Sequence, residues 1–303
     1  MKMTLTRGLP GSGKTTWAKK QKGVIRINRD DIREMLFNNI LYSPEQEEQV
    51  TVIQHGAVKN ALKSGYDVIL DDTNLNPRYV RHLLKIAQSF DAEVEFKDFT
   101  NVSVDECLAN IRQRVADGGR DVEKNVVQGM FDRYIKGRTE LPKIQLPTYE
   151  LKPYIERETG YRIFHDKPWA VIVDIDGTVA KMIDRGPYDW ARVGEDEPVE
   201  DVLAAVRAMN DLGYLILFTS GRDGSCYEAT EVWLEKNFGS SGWNLLMRTE
   251  KDNRPDWIIK AEIFDNKIRN KYNIRCVFDD RDQVVTMWRK LGLTVFQVAE
   301  GDF

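Results

Sequence analysis

The chain has 303 residues, enough for one large domain or two ordinary ones, and 42% of them are hydrophobic, so a sizeable core can be buried. A formal net charge of −4 argues against sequence-blind adhesion of the whole surface to nucleic acid, although 44 Lys and Arg leave room for a local basic groove. No apolar run approaches the roughly 20 residues that span a bilayer, and Met1–Gly8 contains no secretory h-region, so a cytoplasmic protein without leader or membrane contact is expected. Cys107, Cys226 and Cys276 are far apart and form no CxxC, and His55, His82 and His165 spell no metal motif, so neither zinc nor a disulfide framework is indicated.

The first stretch, Met1 to about Leu141, opens with a strand over Met3–Thr6, a helix over Lys14–Lys20 and a strand over Val24–Ile27. An apolar strand, Tyr66–Leu70, ends on Asp71-Asp72, and an alternating one covers Glu93–Phe99. Strands alternating with helices imply a parallel sheet. Between strand and helix, Gly8-Leu-Pro-Gly-Ser-Gly13-Lys14-Thr15 fits G-x-x-x-x-G-K-[ST] at every defined position. Glycines let the backbone wrap a phosphate, and the helix that follows offers its positive end. Lys14 would then bridge the β- and γ-phosphates and Thr15 would ligate Mg²⁺, with Gly8, Gly11, Ser12, Gly13 and Thr16 completing the nucleotide cradle.

A kinase also needs a base for its acceptor hydroxyl. After the second strand, Asp30 and Asp31 are equal candidates by chemistry, Asp31 being suited to cap the next helix, and Arg33 could hold an acceptor phosphate. Asp72 is a candidate Walker-B-type or acceptor-binding carboxylate, followed by Thr73 and Asn74, and Pro77 starts a helix. Arg112, Arg114 and Arg120 are candidates for a lid over the γ-phosphate, where charge builds during transfer.

Pro142, Pro147, Pro153 and Pro168 mark roughly Glu140–Trp169 as a linker, with a short ordered piece around Tyr154–Thr159. This divides the chain into domains over about 1–150 and 151–303. The second domain reads as strands at Ala170–Val173, Tyr214–Phe218, Leu245–Met247, Arg275–Phe278 and Val295–Val298. Helices at Val199–Leu212, Tyr227–Asn237 and Asp282–Leu291 alternate with them, so functional residues belong at the strands' carboxyl ends. The first of these strands runs into Asp174-Ile-Asp176-Gly-Thr178. Two carboxylates spaced by two project the same way from an extended chain, and a bound Mg²⁺ would relieve their repulsion. Asp174 is the candidate nucleophile on phosphorus, and Asp176 the acid and base. Ser220 and Arg222, Lys260, and the Asp279-Asp280 pair follow in the order such a site requires, to bind phosphate, neutralise charge and complete the metal shell.

The second constellation resembles the haloacid-dehalogenase-type phosphohydrolases. The whole chain is similar to the polynucleotide kinase/3′-phosphatases of the T-even phage type. The matching stretches are Pro10–Lys14, Ile27–Asp31 with Arg33, Asp72–Pro77, Asp174–Ala180, Arg185–Asp189, Ser220–Arg222, Asp279–Arg281 and Gln297–Phe303. The resemblance implies a P-loop kinase domain fused to a Rossmann-like phosphatase domain, using ATP and Mg²⁺. Asp30 would be the base for a 5′-hydroxyl, Arg33 would bind the acceptor's 3′-phosphate, and Arg185, Arg248 and Asp256 would join the phosphatase site. The implied partners are DNA or RNA ends, 5′-hydroxyl for one site and 3′-phosphate, cyclic 2′,3′-phosphate included, for the other. That places the protein upstream of a nucleic-acid ligase, in an infected host cell if phage-encoded. Which lid arginine serves stays open, with Arg114 and Arg120 the leading pair, as does assembly into a homo-oligomer. A small-molecule kinase fused to a small-molecule phosphatase is the alternative reading.

Overall fold

The computed structural model describes residues 1–38, 43–138, 141, 144–154 and 166–301. The chain divides into two compact units, Met1–Leu146 and Pro147–Phe303. Each is built around its own parallel sheet.

The first unit runs β1 (Lys2–Arg7), α1 (Lys14–Ala18), β2 (Ile25–Ile27), α2 (Arg29–Phe37), α3 (Pro44–Lys63), β3 (Val68–Leu70), α4 (Pro77–Ser89), β4 (Glu93–Asp98), α5 (Val104–Ala116) and α6 (Lys124–Tyr134). Its four strands lie in the order β2-β3-β1-β4, all parallel. β3 is shorter than the apolar run Tyr66–Leu70 suggests, because the Tyr66 N–H turns back to the Ala61 carbonyl at the end of α3 (3.0 Å). Met3 and Leu5 of β1 enter a core with Val58, Leu62, Val80 and Leu83 from α3 and α4. A second cluster, Leu9, Cys107, Ile111 and Val127, holds α5 and α6 beneath the Gly8–Thr15 loop. The side chains of α4 separate cleanly by face, with Val80, Leu83, Leu84 and Ala87 buried at helical spacing.

The second unit runs β5 (Trp169–Val173), β6 (Ala180–Lys181), β7 (Glu197–Pro198), α7 (Glu200–Asp211), β8 (Leu215–Ser220), α8 (Tyr227–Asn237), β9 (Trp243–Met247), α9 (Asp256–Ile263), β10 (Asn273–Asp279), α10 (Asp282–Lys290) and β11 (Val295–Gln297). The main sheet, β11-β10-β5-β8-β9, is parallel throughout, with β5 at its centre. Both faces of β5 are covered: Ala170 and Ile172 pack with Phe264 and Trp288, Val171 and Val173 with Leu203 and Trp233. That two-sided burial is why the strand reads as a continuous apolar run. The small antiparallel pair β6–β7 and the 3₁₀ segment Trp190–Glu195 have too few residues to leave a periodic trace, and sequence reading misses them.

The expected ordered piece Tyr154–Thr159 lies, except for Tyr154, outside the described residues, as do Asp302 and Phe303 of the matching tail. Tyr154 itself is buried against Phe264, its N–H bonded to Leu291 (2.9 Å). No described helix is long and apolar enough to cross a membrane.

Ile172 is fully buried on the central strand. Ile172→Ala is expected to cost about 2–5 kcal/mol through lost burial and the cavity left behind, read as a lower urea midpoint with unchanged slope.

Candidate active sites

The first site gathers where β1, β2 and β3 end. The Gly8–Thr15 loop joins β1 to α1, and the first N–H groups of α1 have no acceptor inside the helix. Gly11 sits at a φ of 82°, and a Cβ there would strike the carbonyl of Cys107, so only glycine passes. Lys14 is buried, and its ammonium donates to the Leu9 carbonyl (2.6 Å) and the Ser12 hydroxyl (3.3 Å). Burial lowers Lys14 to about 8, against the pull of Asp71. The Thr15 hydroxyl donates to Asp71 Oδ1 (3.2 Å), and Arg26 reaches Asp71 Oδ2 (2.7 Å). Ser12 is buried, while Gly13 on the loop and Thr16 on α1 are exposed.

Asp71, which sequence reading passes over, is therefore the carboxylate that faces the Walker threonine. Asp72 instead accepts the Arg29 N–H (2.9 Å) and the Gln54 amide (2.5 Å). Enclosure by protein pushes Asp72 up to about 6. Neighbouring side chains at a strand end project to opposite faces, and the Asp-Asp dipeptide alone does not say which face meets α1. Thr73 and Asn74, expected at the substrate, brace the P-loop through backbone contacts. The Thr73 carbonyl accepts the Gly8 N–H (3.0 Å), and the Asn74 amide donates to the Thr6 (2.7 Å) and Leu70 (3.1 Å) carbonyls.

Asn28, rather than Asp31, caps α2, accepting the Asp31 N–H at 3.0 Å. Asp31 pairs with Arg26 at the edge of the site. The Asp30 side chain, 54% exposed, meets Arg33 (2.5 Å) and also Arg120. Arg33 and Arg29 converge on Glu47 of α3, a carboxylate with no motif to announce it. Arg112 and Arg114 are exposed on α5, so of the three lid candidates it is Arg120 that touches Asp30.

The second site lies where β5, β8 and β10 end. Asp174 follows β5, its N–H bonded to the Phe278 carbonyl (2.9 Å). Lys260, wholly buried on α9, places its ammonium on Asp174 Oδ1 (2.6 Å) and Asp279 Oδ2 (3.0 Å), with Asp256 Oδ2 at 3.8 Å. Burial alone would lower Lys260, but Asp174, Asp279 and Asp256 together raise it above its ordinary value. Burial, reinforced by Asp279 and Asp280, lifts Asp174 well above the usual carboxylate range despite Lys260. Asp280 is raised too, by burial first and then by Asp279. The Trp288 indole donates to Asp279 Oδ2 (3.1 Å), and the Thr178 hydroxyl reaches Asp280 Oδ1 (3.4 Å). Gly177, at a φ of 83°, leaves room for the Asp280 carboxylate that any Cβ would fill.

Asp174, Asp279 and Asp280 offer oxygens within 4.8 Å of one another, all buried. Three carboxylates against one ammonium leave surplus negative charge out of water, a donor set that fits a hard divalent cation. The Asp176 side chain, expected among these ligands, is not in the cluster. Arg222 holds it through Nε (2.9 Å) and Nη2 (2.8 Å), and Arg185 Nη2 approaches at 3.2 Å. Both arginines are tied behind to buried Asp196, Arg185 through two bonds and Arg222 through one, each of 2.6 Å. Asp196 ends the 3₁₀ segment and carries no motif, so sequence reading misses it. Ser220 is buried at the end of β8, its hydroxyl accepting the Arg222 N–H (3.1 Å). Arg248 reaches Asp256 Oδ1 (3.3 Å), which joins this outer pair to Lys260.

Residues 168–303 match the family described as the polynucleotide kinase PNKP phosphatase domain, and residues 3–137 match the AAA domain family. A bifunctional polynucleotide kinase/RNA ligase assigned in Autographa californica nuclear polyhedrosis virus is 33% identical over 308 aligned residues, covering 96% of this chain and 41% of the viral protein. An L-seryl-tRNA(Sec) kinase of Methanococcus maripaludis is 25% identical over 166 residues, covering 51% of this chain and 62% of that protein. The chain thus spans about half the length of these relatives. A chain of the Pnkp1/Rnl/Hen1 RNA repair complex is 32% identical, with 100% of this chain and 97% of that one covered and a TM-score of 0.47. Residues 3–137 are thus an AAA-type domain, and residues 168–303, which follow it, are a phosphatase domain of the polynucleotide kinase type.

Proposed function

We propose that this chain heals nucleic-acid ends: the first site transfers the γ-phosphate of ATP to 5′-hydroxyl ends of DNA or RNA, and the second removes 3′-phosphates. The observation that carries the reading is the buried Lys260–Asp174–Asp279 constellation on the same chain as a complete Walker loop. The products, a 5′-phosphate and a 3′-hydroxyl, are what a ligase joins. The viral relative's name pairs a polynucleotide kinase with an RNA ligase.

In the kinase site Lys14 leaves the Leu9 carbonyl for the β- and γ-phosphates, and Asp30 takes the proton of the 5′-hydroxyl. The hydroxyl oxygen bonds to the γ-phosphorus as the bond to the β–γ bridging oxygen breaks and ADP leaves. Arg120 pairs with Asp30. A γ-phosphate competes for that guanidinium, which then neutralises the transferring group and frees the base. Arg33 takes an acceptor phosphate, with Glu47 holding its other edge. Thr15 and Asp71 would hold Mg²⁺, which supplies charge neutralisation on the nucleotide phosphates.

In the phosphatase site the Asp174 carboxylate attacks the 3′-phosphorus. The bond to the 3′-oxygen breaks, and Asp176 gives that oxygen its proton. Water then attacks the aspartyl-phosphate, passes a proton back to Asp176, and releases inorganic phosphate. Arg185 and Arg222 orient Asp176 and, with Ser220, meet the phosphate oxygens. Asp174, Asp279 and Asp280 would hold Mg²⁺, while Lys260 screens the nucleophile from its neighbours.

Lys14→Ala is expected to abolish transfer from labelled ATP to a 5′-hydroxyl oligonucleotide and to spare 3′-phosphate removal, and Asp174→Asn to do the reverse. Loss of both activities from either change in a folded protein would sink the two-site reading, and transfer to a nucleoside or sugar alone would sink the polynucleotide reading. Because Lys14 in the free chain loses its proton above about pH 8, ATP affinity should fall as pH rises. The fall is about tenfold between pH 7 and 9 by calorimetric titration, and flat in Lys14→Arg. Adding MgCl₂ to EDTA-treated protein should raise the melting temperature, an effect that shrinks in Asp280→Asn.

A further inference from the structure

Gln297–Phe303 is one of the stretches that carry the resemblance, yet no role in either site falls to it. Its place in the fold assigns one. β11 is the edge strand beside β10, and its last residue, Gln297, stands in register with Asp279. The chain then turns back over the carboxyl end of β10, where the Val298 N–H donates to the Asp279 carbonyl (3.2 Å). The Gln297 side-chain amide donates to the Asp280 carbonyl (2.9 Å) and to Asp282 Oδ1 (2.6 Å). The Gly301 carbonyl accepts the Asp282 N–H (3.1 Å), which closes the segment around the turn that follows β10. Gly301 is buried, and a Cβ there would stand 2.1 Å from the Asp280 carbonyl oxygen and 2.5 Å from Arg281 Cα. No side chain fits without displacing the backbone that carries Asp280.

The two acidic residues of this turn are not held alike. The Asp279 carboxylate takes Lys260 (3.0 Å) and Trp288 (3.1 Å) on Oδ2 and the Arg281 N–H (3.2 Å) on Oδ1. The Asp280 carboxylate meets the Thr178 hydroxyl at 3.4 Å, beyond the usual range for such a bond, in the space that Gly177 leaves open. Its direction therefore depends on its backbone. A peptide group is planar, so a carbonyl held at its oxygen fixes the orientation of the whole group beside the Asp280 Cα. Mg²⁺ accepts oxygens only at about 2.0–2.1 Å in a near-octahedral array, and a small displacement of Asp280 weakens the hold on such an ion.

We infer that Gln297 and Gly301 are positioning residues of the cation site: they brace the Asp280 backbone so that its carboxylate meets the ion together with Asp174 and Asp279. The inference rests on the reading of these three aspartates as a divalent-cation site and deepens it. The two residues act through the Asp280 backbone rather than on the substrate. The segment after β11 is thereby part of the metal site, although it carries no metal-binding motif of its own.

The test is a melting titration with MgCl₂ on EDTA-treated protein without nucleotide, paired with 3′-phosphate release from a single-stranded oligonucleotide at graded Mg²⁺. Gln297→Ala should raise the Mg²⁺ concentration that gives half the full melting shift about tenfold, the low end of what an outer partner of a metal ligand contributes. Its kcat at saturating Mg²⁺ should match that of the unaltered protein. Gly301→Ala should move the midpoint the same way; if it fails to fold, Gln297→Ala, which only removes atoms, decides. An unchanged midpoint in Gln297→Ala, whatever its melting temperature or kcat, would overturn the brace and leave the cation site standing. A melting temperature of the unaltered protein that ignores Mg²⁺ would overturn both. A raised midpoint in Gln297→Ala, with no phosphate release by the unaltered protein, would support the brace and sink the phosphatase reading.

Discussion

The ammonium of Lys260 is taken completely out of water and set among Asp174, Asp279 and Asp256. A lysine so buried would ordinarily shed its proton, and carboxylates so buried would ordinarily take one up. The carboxylates hold the proton on the lysine, and the lysine offsets only part of the burial that lifts Asp174. The second unit's geometry follows from that exchange of charge. β5 and β10 must be neighbours to bring Asp174 beside Asp279, and α9 must cross the same end to deliver the lysine. Removing the lysine alone would leave several buried carboxylates uncompensated, a change of the kind that costs about 3–5 kcal/mol. The ammonium does not balance the whole cluster, and the remaining negative charge makes the site a place for a divalent cation.

A second layer of charge is built outward from the first. Asp196 neutralises two guanidiniums, and Nη2 of both Arg185 and Arg222 bridges it to Asp176. Aligned bonds of this kind hold a carboxylate by both of its oxygens. Asp176 thus has a defined direction, fixed by Arg185 and Arg222.

Much of this was legible in the sequence, and the reasons it was legible are physical. The strands with both faces buried, such as Ala170–Val173, read as unbroken apolar runs, and the motif residues follow at their carboxyl ends. Helix α8 falls on the predicted Tyr227–Asn237, although no side chain caps its N-terminus. What escaped was whatever depends on tertiary placement. Asp71 and Asp72 are adjacent and chemically identical, and only the packing of α1 against the sheet makes the first one face Thr15. Glu47 and Asp196 each meet two arginines brought from elsewhere in the chain, and a lone acidic residue in a helix or turn carries no sign of that. Asn28 took the capping position that Asp31 would also suit, because its amide also reaches back to the Asp71 carbonyl and ties α2 to the end of β3.

The two sites solve the same electrostatic problem in opposite ways. In the first unit Arg33, one partner of Asp30, is mostly buried, while Asp30 and its other partner Arg120 are half exposed. Exposed pairs of this kind are worth about 0–1 kcal/mol, so an arriving triphosphate can break them and reuse the arginine at almost no cost in stability. A site that binds and releases a charged nucleotide at each turnover needs contacts that weak. In the reaction proposed for the second unit the nucleophile becomes covalently phosphorylated, so its surroundings must stay fixed while charge moves from phosphate to carboxylate and back. Lys260 and the Asp196-braced arginines cannot drift without stranding a buried charge, and that penalty holds the site still. The exposed network suits a group that must come and go, and the buried one suits a group that must be attacked at a single point.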